Sequence, residues 1–542
     1  MSRRLLIAAL ALAFALPARA HAQIQTPGSN GVEVPEPEAE IFMSALQYIK
    51  RLHMQEFNDS TLWTRALTGL LESLDDPYAT VFTPDEVKDF DEETTGNYAG
   101  IGISISQLND HVTVTTVFRG APASAAGLEV GDVIVGVNQH ESGTWTTDEA
   151  SDSIRGPIGT TVQLRVTREG VGQPITFTMK RDSVHVTAVQ WDVLPDNIGY
   201  LSLDRVARNS AQEVLQAVDS MADTRGVIID LRRNPGGYLD EALNISDVFL
   251  GRGSVLASTR SRGGALSSGS TSEESYRGRM RAHIPGKPII ILVDRYSASA
   301  AEIVTGALQD HDRALVLGER TFGKGIVQSV LQLPFGRELR ITTGSWHTPL
   351  GRSLHRNRDV GGNLLEENLD TFPAVTTPAG RAIKAGGGIF PDLEVDMDSL
   401  SVVEQELISV ANDKKVPLPQ KEAEASFARA KALRDAGLPP SVDAATLDAH
   451  MKGLEAAGLP PEVASKPEVR AYLGWRLRVA VADRFAHIAD ATVLRMERDN
   501  VLTRAVELMR ASQTQGDLFD DAAKAKASTA PATTATVVPA PN

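Results

Sequence analysis

From Ile41 onward apolar residues recur every three to four positions, at Ile41, Ala45, Leu46, Ile49 and Leu52 and again at Leu62, Ala66, Leu67, Leu70 and Leu71. That period predicts two amphipathic helices, and Pro77 in Leu74-Asp75-Asp76-Pro77-Tyr78 ends the second. Between residues 94 and 180 the period falls to two: Gly100-Ile101-Gly102-Ile103-Ser104-Ile105 and Val112-Thr113-Val114-Thr115-Thr116-Val117 read as short strands entered through turns. Continuous apolar runs follow at Gly226-Val227-Ile228-Ile229-Asp230-Leu231 and at Pro288-Ile289-Ile290-Ile291-Leu292-Val293, each leading into a helical pattern, over 238–249 and from Ala300 to Leu308. Such runs suit strands buried on both faces. Beyond Ser401 the chain turns helical and rich in Ala, Glu, Arg and Lys, Ala436-Gly437-Leu438-Pro439-Pro440 recurs at 457–461, and a last helix fits 502–510. The order predicts a multidomain α/β protein. A helical region, a stretch of short strands, a stretch alternating strands and helices, and a second helical region follow one another in that order.

Composition adjusts this picture in three places. A chain of 542 residues exceeds what one hydrophobic core holds. A formal charge of −15 with 5% aromatic residues gives nucleic acid neither counterions nor a stacking surface, so no nucleic-acid partner is expected. At the start, Arg3 and Arg4, an apolar run from Leu5 to Leu16, and Ala20-His21-Ala22 have the form of a signal peptide over 1–22, too short to span a bilayer comfortably. An uncleaved anchor is the alternative. No cysteine occurs anywhere, which closes both the usual lipid-anchored route and disulfide bonding. The expected location is outside the cytoplasm, in the periplasm or at the outer face of a bacterial inner membrane. Residues 23–36 read as a linker, the Ser, Gly and Arg rich stretch 260–281 as a mobile surface loop, and 521–542 as a disordered tail.

Four segments in order, Gly100-Ile101-Gly102-Ile103, Gly120-Ala121-Pro122-Ala123-Ser124-Ala125-Ala126-Gly127-Leu128, Gly131-Asp132-Val133-Ile134 and Arg155-Gly156-Pro157-Ile158-Gly159-Thr160, resemble a PDZ domain. Such a module pairs a free strand edge with an extended peptide tail and captures its terminal carboxylate in a loop of amides. Tyr98, Ala99, Gly100, Ile101 and Gly102 are the candidate peptide-binding loop, because glycines let amides converge. A tight turn is their plain structural use.

The candidate chemistry lies between Pro288 and Val330. Ser299 stands at the start of the helix 300–308, where free amides and the positive end of the helix dipole stabilise an oxyanion. An N-cap serine would stand in the same place. Lys324 follows in Gly323-Lys324-Gly325, and the strand pattern Ile326-Val327-Gln328-Ser329-Val330 puts Lys324, Ile326 and Gln328 on one face, so that Gln328 can orient the amine. Lysine serves as a base only if apolar burial lowers its pKa by several units from ~10.4. A serine paired with a neutral amine then needs no third acid. Gly236-Gly237, at a strand-to-helix junction, offers convergent amides or merely a turn needing positive φ. Gly318-Glu319-Arg320-Thr321-Phe322-Gly323-Lys324 matches the first seven positions of a phosphate-binding loop, but Gly325 replaces the required hydroxyl residue and a strand pattern follows. His311, His347 and His355 lack a matching serine motif, and no metal motif occurs.

Taken together, Leu74-Asp75-Asp76-Pro77, the PDZ segments, Asp230-Leu231-Arg232-Arg233-Asn234-Pro235-Gly236-Gly237, Ser297-Ala298-Ser299-Ala300-Ala301-Glu302, the 318–328 segment and Gly388-Ile389-Phe390-Pro391-Asp392 resemble the carboxyl-terminal processing, or tail-specific, serine peptidases. The resemblance implies a Ser/Lys dyad at Ser299 and Lys324 aided by Gln328, and an oxyanion hole from the Ala300 amide and either Gly236 or Gly237. It also implies a peptidase core carrying an inserted PDZ domain that captures protein or peptide substrates by their C-termini, with no cofactor and no metal. The expected divisions are an N-terminal helical region over 37–93, PDZ domain 94–182, peptidase core 183–400 and C-terminal helical region 401–520. That last region is the expected surface for self-association or an activating partner. A non-catalytic PDZ adaptor or a partner-activated latent protease of the cell envelope is the alternative. Ala301, Trp346-His347 and an insertion over 352–384 depart from the family pattern.

Overall fold

The computed structural model describes residues 36–141, 145–262 and 271–529. The expected signal peptide, the linker up to residue 35 and the end of the chain from 530 lie outside them. The two N-terminal helices form as Glu36–Leu52 and Asp59–Glu72. A third helix, Pro84–Thr95, begins on a capping box in which Thr83 and Glu86 satisfy each other's exposed amides. On the first helix Ile41, Tyr48 and Leu52 face outward, uncovered by the rest of the described chain.

The PDZ-like module is a sheet in the order Ile103–Leu108, His111–Val117, Val133–Val137, Thr161–Thr167 and Ile175–Lys180, around a core that includes Val114, Ile134, Val162 and Leu164. Ile103–Leu108 is an edge strand of that sheet. Tyr98, Ala99 and Gly100 do not form an open loop, because they lie in the strand Asn97–Gly100, paired antiparallel with Asp182–His185. Only Ile101 and Gly102 connect it to the edge strand.

The core is a six-stranded sheet ordered Val189–Leu194, Ile198–Leu203, Gly226–Asp230, Ile289–Val293, Leu315–Gly318 and Leu393–Glu394. The first pair is antiparallel and the rest are parallel. Successive residues of Ile289–Val293 point to opposite faces, and every one is buried. Ile289, Ile291 and Val293 pack with the helices Ser210–Ser220, Leu239–Leu250 and Ala300–Asp310. Ile290 and Leu292 pack on the other face against Val501, Leu502, Val506 and Met509 of helix Asn500–Ala511 and Leu518 of helix Gln515–Thr529.

The C-terminal region is helical as expected, and its last helices form the third layer of the core sheet. One expectation is corrected. The first part of the expected disordered tail, up to Thr529, continues a helix that buries Ala522. The cause is general: a parallel sheet with two apolar faces needs cover on both. The remaining C-terminal helices form their own cluster around Leu407, Leu454 and Leu473. Helix Leu418–Asp435 reaches the PDZ-like module, where Glu424 accepts the Asn109 N–H at 3.2 Å and Lys431 pairs with Glu169 at 3.1 Å.

A second sheet is built on the long strand Arg337–His347. It pairs with Ile326–Leu333, with Thr80–Phe82 from the N-terminal region, and with Val255–Arg262, which pairs in turn with Thr271–Arg277. The stretch expected as a mobile loop over 260–281 is therefore largely a β-ribbon in its described residues. Its polar side chains alternate across a strand pair with little apolar content, so the sequence signal for a strand is weak.

Candidate active site

Three loops leave the carboxyl ends of three adjacent parallel strands, after Asp230, Val293 and Gly318, and each carries part of the predicted site. In open α/β sheets this is where ligands bind. The apolar runs of the sequence thus act as rails that deliver 231–237, 294–299 and 319–324 to one place.

Ser299 follows the strand Ile289–Val293 and precedes the helix Ala300–Asp310 with φ 54° and ψ −115°. A non-glycine residue held there is strained by roughly 1–3 kcal/mol and persists only where its surroundings enforce it. Ser299 and Glu302 stand in the positions of a capping box, with Glu302 accepting the Ser299 N–H, so the serine starts the helix as an N-cap does while its backbone lies outside the usual extended N-cap conformation. What enforces the turn is Glu302, which is fully buried. Its Oε2 accepts the Ser299 N–H at 2.9 Å and the Lys324 N–H at 2.8 Å, and its Oε1 accepts the Gly323 N–H at 2.8 Å and the Thr321 hydroxyl at 2.5 Å. One carboxylate therefore gathers both predicted catalytic segments. Burial pushes the Glu302 carboxyl up from the usual range, opposed by these four hydrogen bonds. Glu302 stands three residues after a serine at a helix start, and that capping-box spacing is the mark it leaves in the sequence. The amides that a phosphate would need at Gly323 and Lys324 are spent on this acid, so the segment is no nucleotide loop.

Asp294, also fully buried, organises the same turn: its Oδ1 accepts the N–H groups of Arg233, Tyr296 and Ser297 at 3.0, 2.9 and 2.9 Å. Asn234 joins the glycine loop to the serine loop, accepting the Ala298 N–H on its carbonyl at 2.9 Å and donating its side-chain amide to Leu203 O at 2.9 Å. The Gly236 N–H donates to Asn234 Oδ1 at 2.8 Å. Of the two glycines, Gly236 is thus already spent as a donor. The ladder with Val206 uses the Gly236 carbonyl and the Tyr238 N–H, which leaves the Gly237 N–H outside it. The Ala300 N–H, as a first-turn helix donor, has no intrahelical acceptor. Both glycines are required sterically. A Cβ on Gly236 would lie 2.7 Å from Ala300 N and 2.8 Å from Ser299 Cβ, and one on Gly237 would lie 2.0 Å from Val206 O.

Lys324 is part-buried, with its backbone carbonyl held by the Trp346 indole N–H at 3.0 Å. Its amine pKa is lowered from the ordinary 10.5 to about 8, chiefly by burial and then by Arg340, against the opposite pull of Asp76 and Glu302. That preference for the neutral amine is worth about 3 kcal/mol. The Tyr78 ring lies 5.0 Å from Nζ, and a ring face favours an ammonium by about 0.5–2 kcal/mol, so desolvation prevails.

The expected contact of Gln328 with the lysine does not form: its Nε2 donates to Tyr78 O at 3.0 Å, beside a bulge that leaves Thr343 of the long strand unpaired between the Val327–Gly344 and Gln328–Thr342 pairs. A cavity of about 470 Å³ opens beside the lysine, lined by Tyr78, Pro235, Tyr296, Ala298, Phe322 and Lys324, with Arg233 at its side. Among the described residues no group of three or more histidine, aspartate or glutamate side chains stands together to hold a metal. His311 bonds Val255 O at 2.7 Å, and burial lowers the pKa of His347 and His355.

The chain is similar to known proteins in both its core and its PDZ-like module. The model of peptidase family S41 matches residues 197–361, and a PDZ domain model matches residues 90–167. A carboxy-terminal-processing protease of Bartonella bacilliformis is 35% identical over 303 residues, 55% of this chain and 68% of that protein. The carboxy-terminal processing protease CtpA of Bacillus subtilis is 32% identical over 314 residues, 58% of this chain and 66% of its own. Among solved structures, a photosystem II D1 C-terminal processing protease aligns at 25% identity with a TM-score of 0.32, covering 62% of this chain and 94% of that one.

Proposed function

The chain belongs to the carboxy-terminal-processing proteases of peptidase family S41, serine peptidases that here carry a PDZ domain, and from that premise we propose that Ser299 and Lys324 are its catalytic dyad. The observation that carries this reading is the strained Ser299 turn, with its amide and that of Lys324 on the same oxygen of buried Glu302. As Ser299 Oγ attacks the scissile carbonyl carbon, the neutral Lys324 amine takes the hydroxyl proton. The carbonyl oxygen becomes an oxyanion that accepts from the Ala300 and Gly237 amides, a type of contact whose loss typically costs ~10²–10³ in kcat. Collapse breaks the C–N bond, and the ammonium returns its proton to the leaving amine. Water then attacks the Ser299 ester, giving its proton to Lys324, and Ser299 regains a proton as the new carboxyl terminus leaves.

The PDZ domain supplies the substrate. An extended, unstructured C-terminus adds to the free edge of Ile103–Leu108 by backbone pairing, with its carboxylate at the Ile101–Gly102 turn. Tyr98, Ala99 and Gly100 support that turn from their strand. Cleavage takes place upstream, at the apolar cavity beside Lys324. The signal-like segment 1–22 supports export to the periplasm or the outer face of the inner membrane; the mass of the N-terminal peptide from the exported fraction tests it, and residues 1–22 still attached would refute cleavage.

Incubating the purified protein with an unfolded substrate whose C-terminus is free or amidated, followed by mass spectrometry, tests the whole reading. Cleavage should occur with the free tail, fall on amidation, and vanish in Ser299→Ala and in Lys324→Ala. Undiminished proteolysis by Ser299→Ala would refute the dyad. The engagement of Gln328 by Tyr78 favours a second reading of the resting state, a latent protease in which a partner or the bound tail first releases that glutamine. In that case cleavage shows a lag that the partner or a tail peptide abolishes. A non-catalytic adaptor would instead bind tails and leave them whole.

A further inference from the structure

The second helix ends at Glu72, five residues before Pro77, and the turn Leu74-Asp75-Asp76-Pro77-Tyr78 that follows reaches the site through three groups. Asp76 fixes it in place: Oδ1 accepts the Tyr78 N–H at 3.0 Å, and Oδ2 accepts the Thr342 N–H at 3.2 Å on the strand that pairs with Ile326–Leu333. From there the Tyr78 carbonyl holds Gln328 at 3.0 Å, and the ring sits 5.0 Å from Lys324 Nζ. The side chain lines the cavity with Pro235, Ala298, Phe322 and Lys324. The phenol oxygen is buried, and the Arg358 guanidinium faces it without a well-formed hydrogen bond; arginine can only donate, so the phenol's own proton has no acceptor among the described residues. A buried donor left unsatisfied calls for an explanation, and one facing a cavity finds it in whatever fills that cavity.

We propose that Tyr78 is a positioning residue of the active site: its ring shields the Lys324 amine from water, its carbonyl holds Gln328, and its hydroxyl is kept for a backbone group of the bound substrate. The N-terminal region is then part of the catalytic machinery rather than an appendage to it. This deepens the reading above and rests on Lys324 being the base. The charged groups around the amine are Arg340 from the long strand, Asp76 from the turn and Glu302 from the serine helix, and Arg358 faces the phenol. All of them survive substitution of Tyr78, so a change in the amine's titration on removing the ring reports the loss of its shielding. With the ring gone, water reaches Nζ and the amine moves toward its ordinary pKa, by an amount reduced by the loss of the ring's own attraction for the ammonium.

The test is the pH profile of kcat/KM for the full chain with a free-tailed substrate, in Tyr78→Ala and Tyr78→Phe, with circular dichroism to verify the fold. In Tyr78→Ala the rising limb should move toward alkaline pH by roughly one unit, with a loss of about tenfold near pH 7. Tyr78→Phe should leave the limb in place and raise KM, because only the substrate bond is gone. Should Tyr78→Ala not fold, Tyr78→Gln keeps the bulk while admitting water and should show the same alkaline movement. An unmoved limb in a folded Tyr78→Ala or Tyr78→Gln, or an equal movement in Tyr78→Phe, overturns the proposal. Failure of the dyad looks different: Ser299→Ala and Lys324→Ala would then still cleave, and no limb could be assigned to the lysine.

Discussion

Replacing Glu302 is the perturbation that bears hardest on how this site is held together. In Glu302→Gln one oxygen becomes an NH2 group. If the NH2 faces Ser299 and Lys324, two buried N–H groups meet a donor. If it faces Gly323 and Thr321, the Thr321 hydroxyl can turn to accept, beside the Ile389 N–H it already accepts at 2.7 Å, and only the Gly323 N–H is stranded. The second arrangement is the cheaper, at about 1–3 kcal/mol for one unsatisfied buried donor. Relief from burying a charge offsets part of that, since burial already raises the Glu302 pKa. The glutamine variant should thus lose about 1–2 kcal/mol of stability and, because its remaining oxygen still ties Ser299 to Lys324, keep kcat within about tenfold. Glu302→Ala strands three backbone amides and a hydroxyl. It frees both catalytic segments, and a displacement near 1 Å costs about 10²-fold in rate. Urea unfolding followed at constant substrate excess by kcat measures both effects. A folded Glu302→Ala that keeps kcat within about threefold of the parent would refute the idea that this carboxylate aligns the dyad.

Two further consequences follow from named groups. The depressed Lys324 pKa gives kcat/KM a rising limb with its midpoint near pH 8; the same depression means that the unfolded chain binds the extra proton between about pH 8 and 10.5, so stability rises with pH across that window and the contribution is lost as pH falls through 8. Lys324→Met should remove that slope from a series of urea titrations, and an unchanged slope would show that the lysine is not the depressed group. Arg232 bridges Asp230 and Asp499, at 2.6 and 2.8 Å, and Asp499 also caps helix Asn500–Ala511 by accepting the Leu502 N–H at 2.9 Å. Asp499→Ala should therefore cost about 2–3 kcal/mol in thermal unfolding, and Asp499→Asn, which keeps the cap, about 1 kcal/mol less; equal losses would mean that the cap contributes nothing, and an Asp499→Asn as stable as the parent would mean that the charge pair does nothing.

What the sequence reveals here follows its local physics. Ile289 to Val293 announces a strand buried on both faces, and the serine and lysine segments are legible because each couples a strand or helix pattern to a reactive residue. The third layer from Asn500 to Thr529 was harder to see: amphipathic helices state that they need a partner but not which sheet they cover. The ribbon around Arg260 and Glu273 has little apolar alternation, so nothing in it outweighed a loop composition. The contact Gln328 makes is not legible in its own strand, because it depends on where the distant Tyr78 carbonyl comes to lie. Glu302 and Tyr78 lie within recognisable motifs, yet their roles depend on which distant loops converge, the Gly323–Lys324 turn for one and the lysine strand for the other. Such convergence is a property of the sheet, not of either motif.

The central claim is that Ser299 forms the covalent intermediate, and acid quenching of the enzyme in the first turnover of a slowly hydrolysed peptide ester, followed by mass spectrometry of its digested peptides, tests it most directly. The account predicts an acyl group of substrate mass on the peptide containing Ser299, with neither adduct nor turnover in Ser299→Ala. An acyl group on any other residue, or turnover that persists in Ser299→Ala, would contradict it.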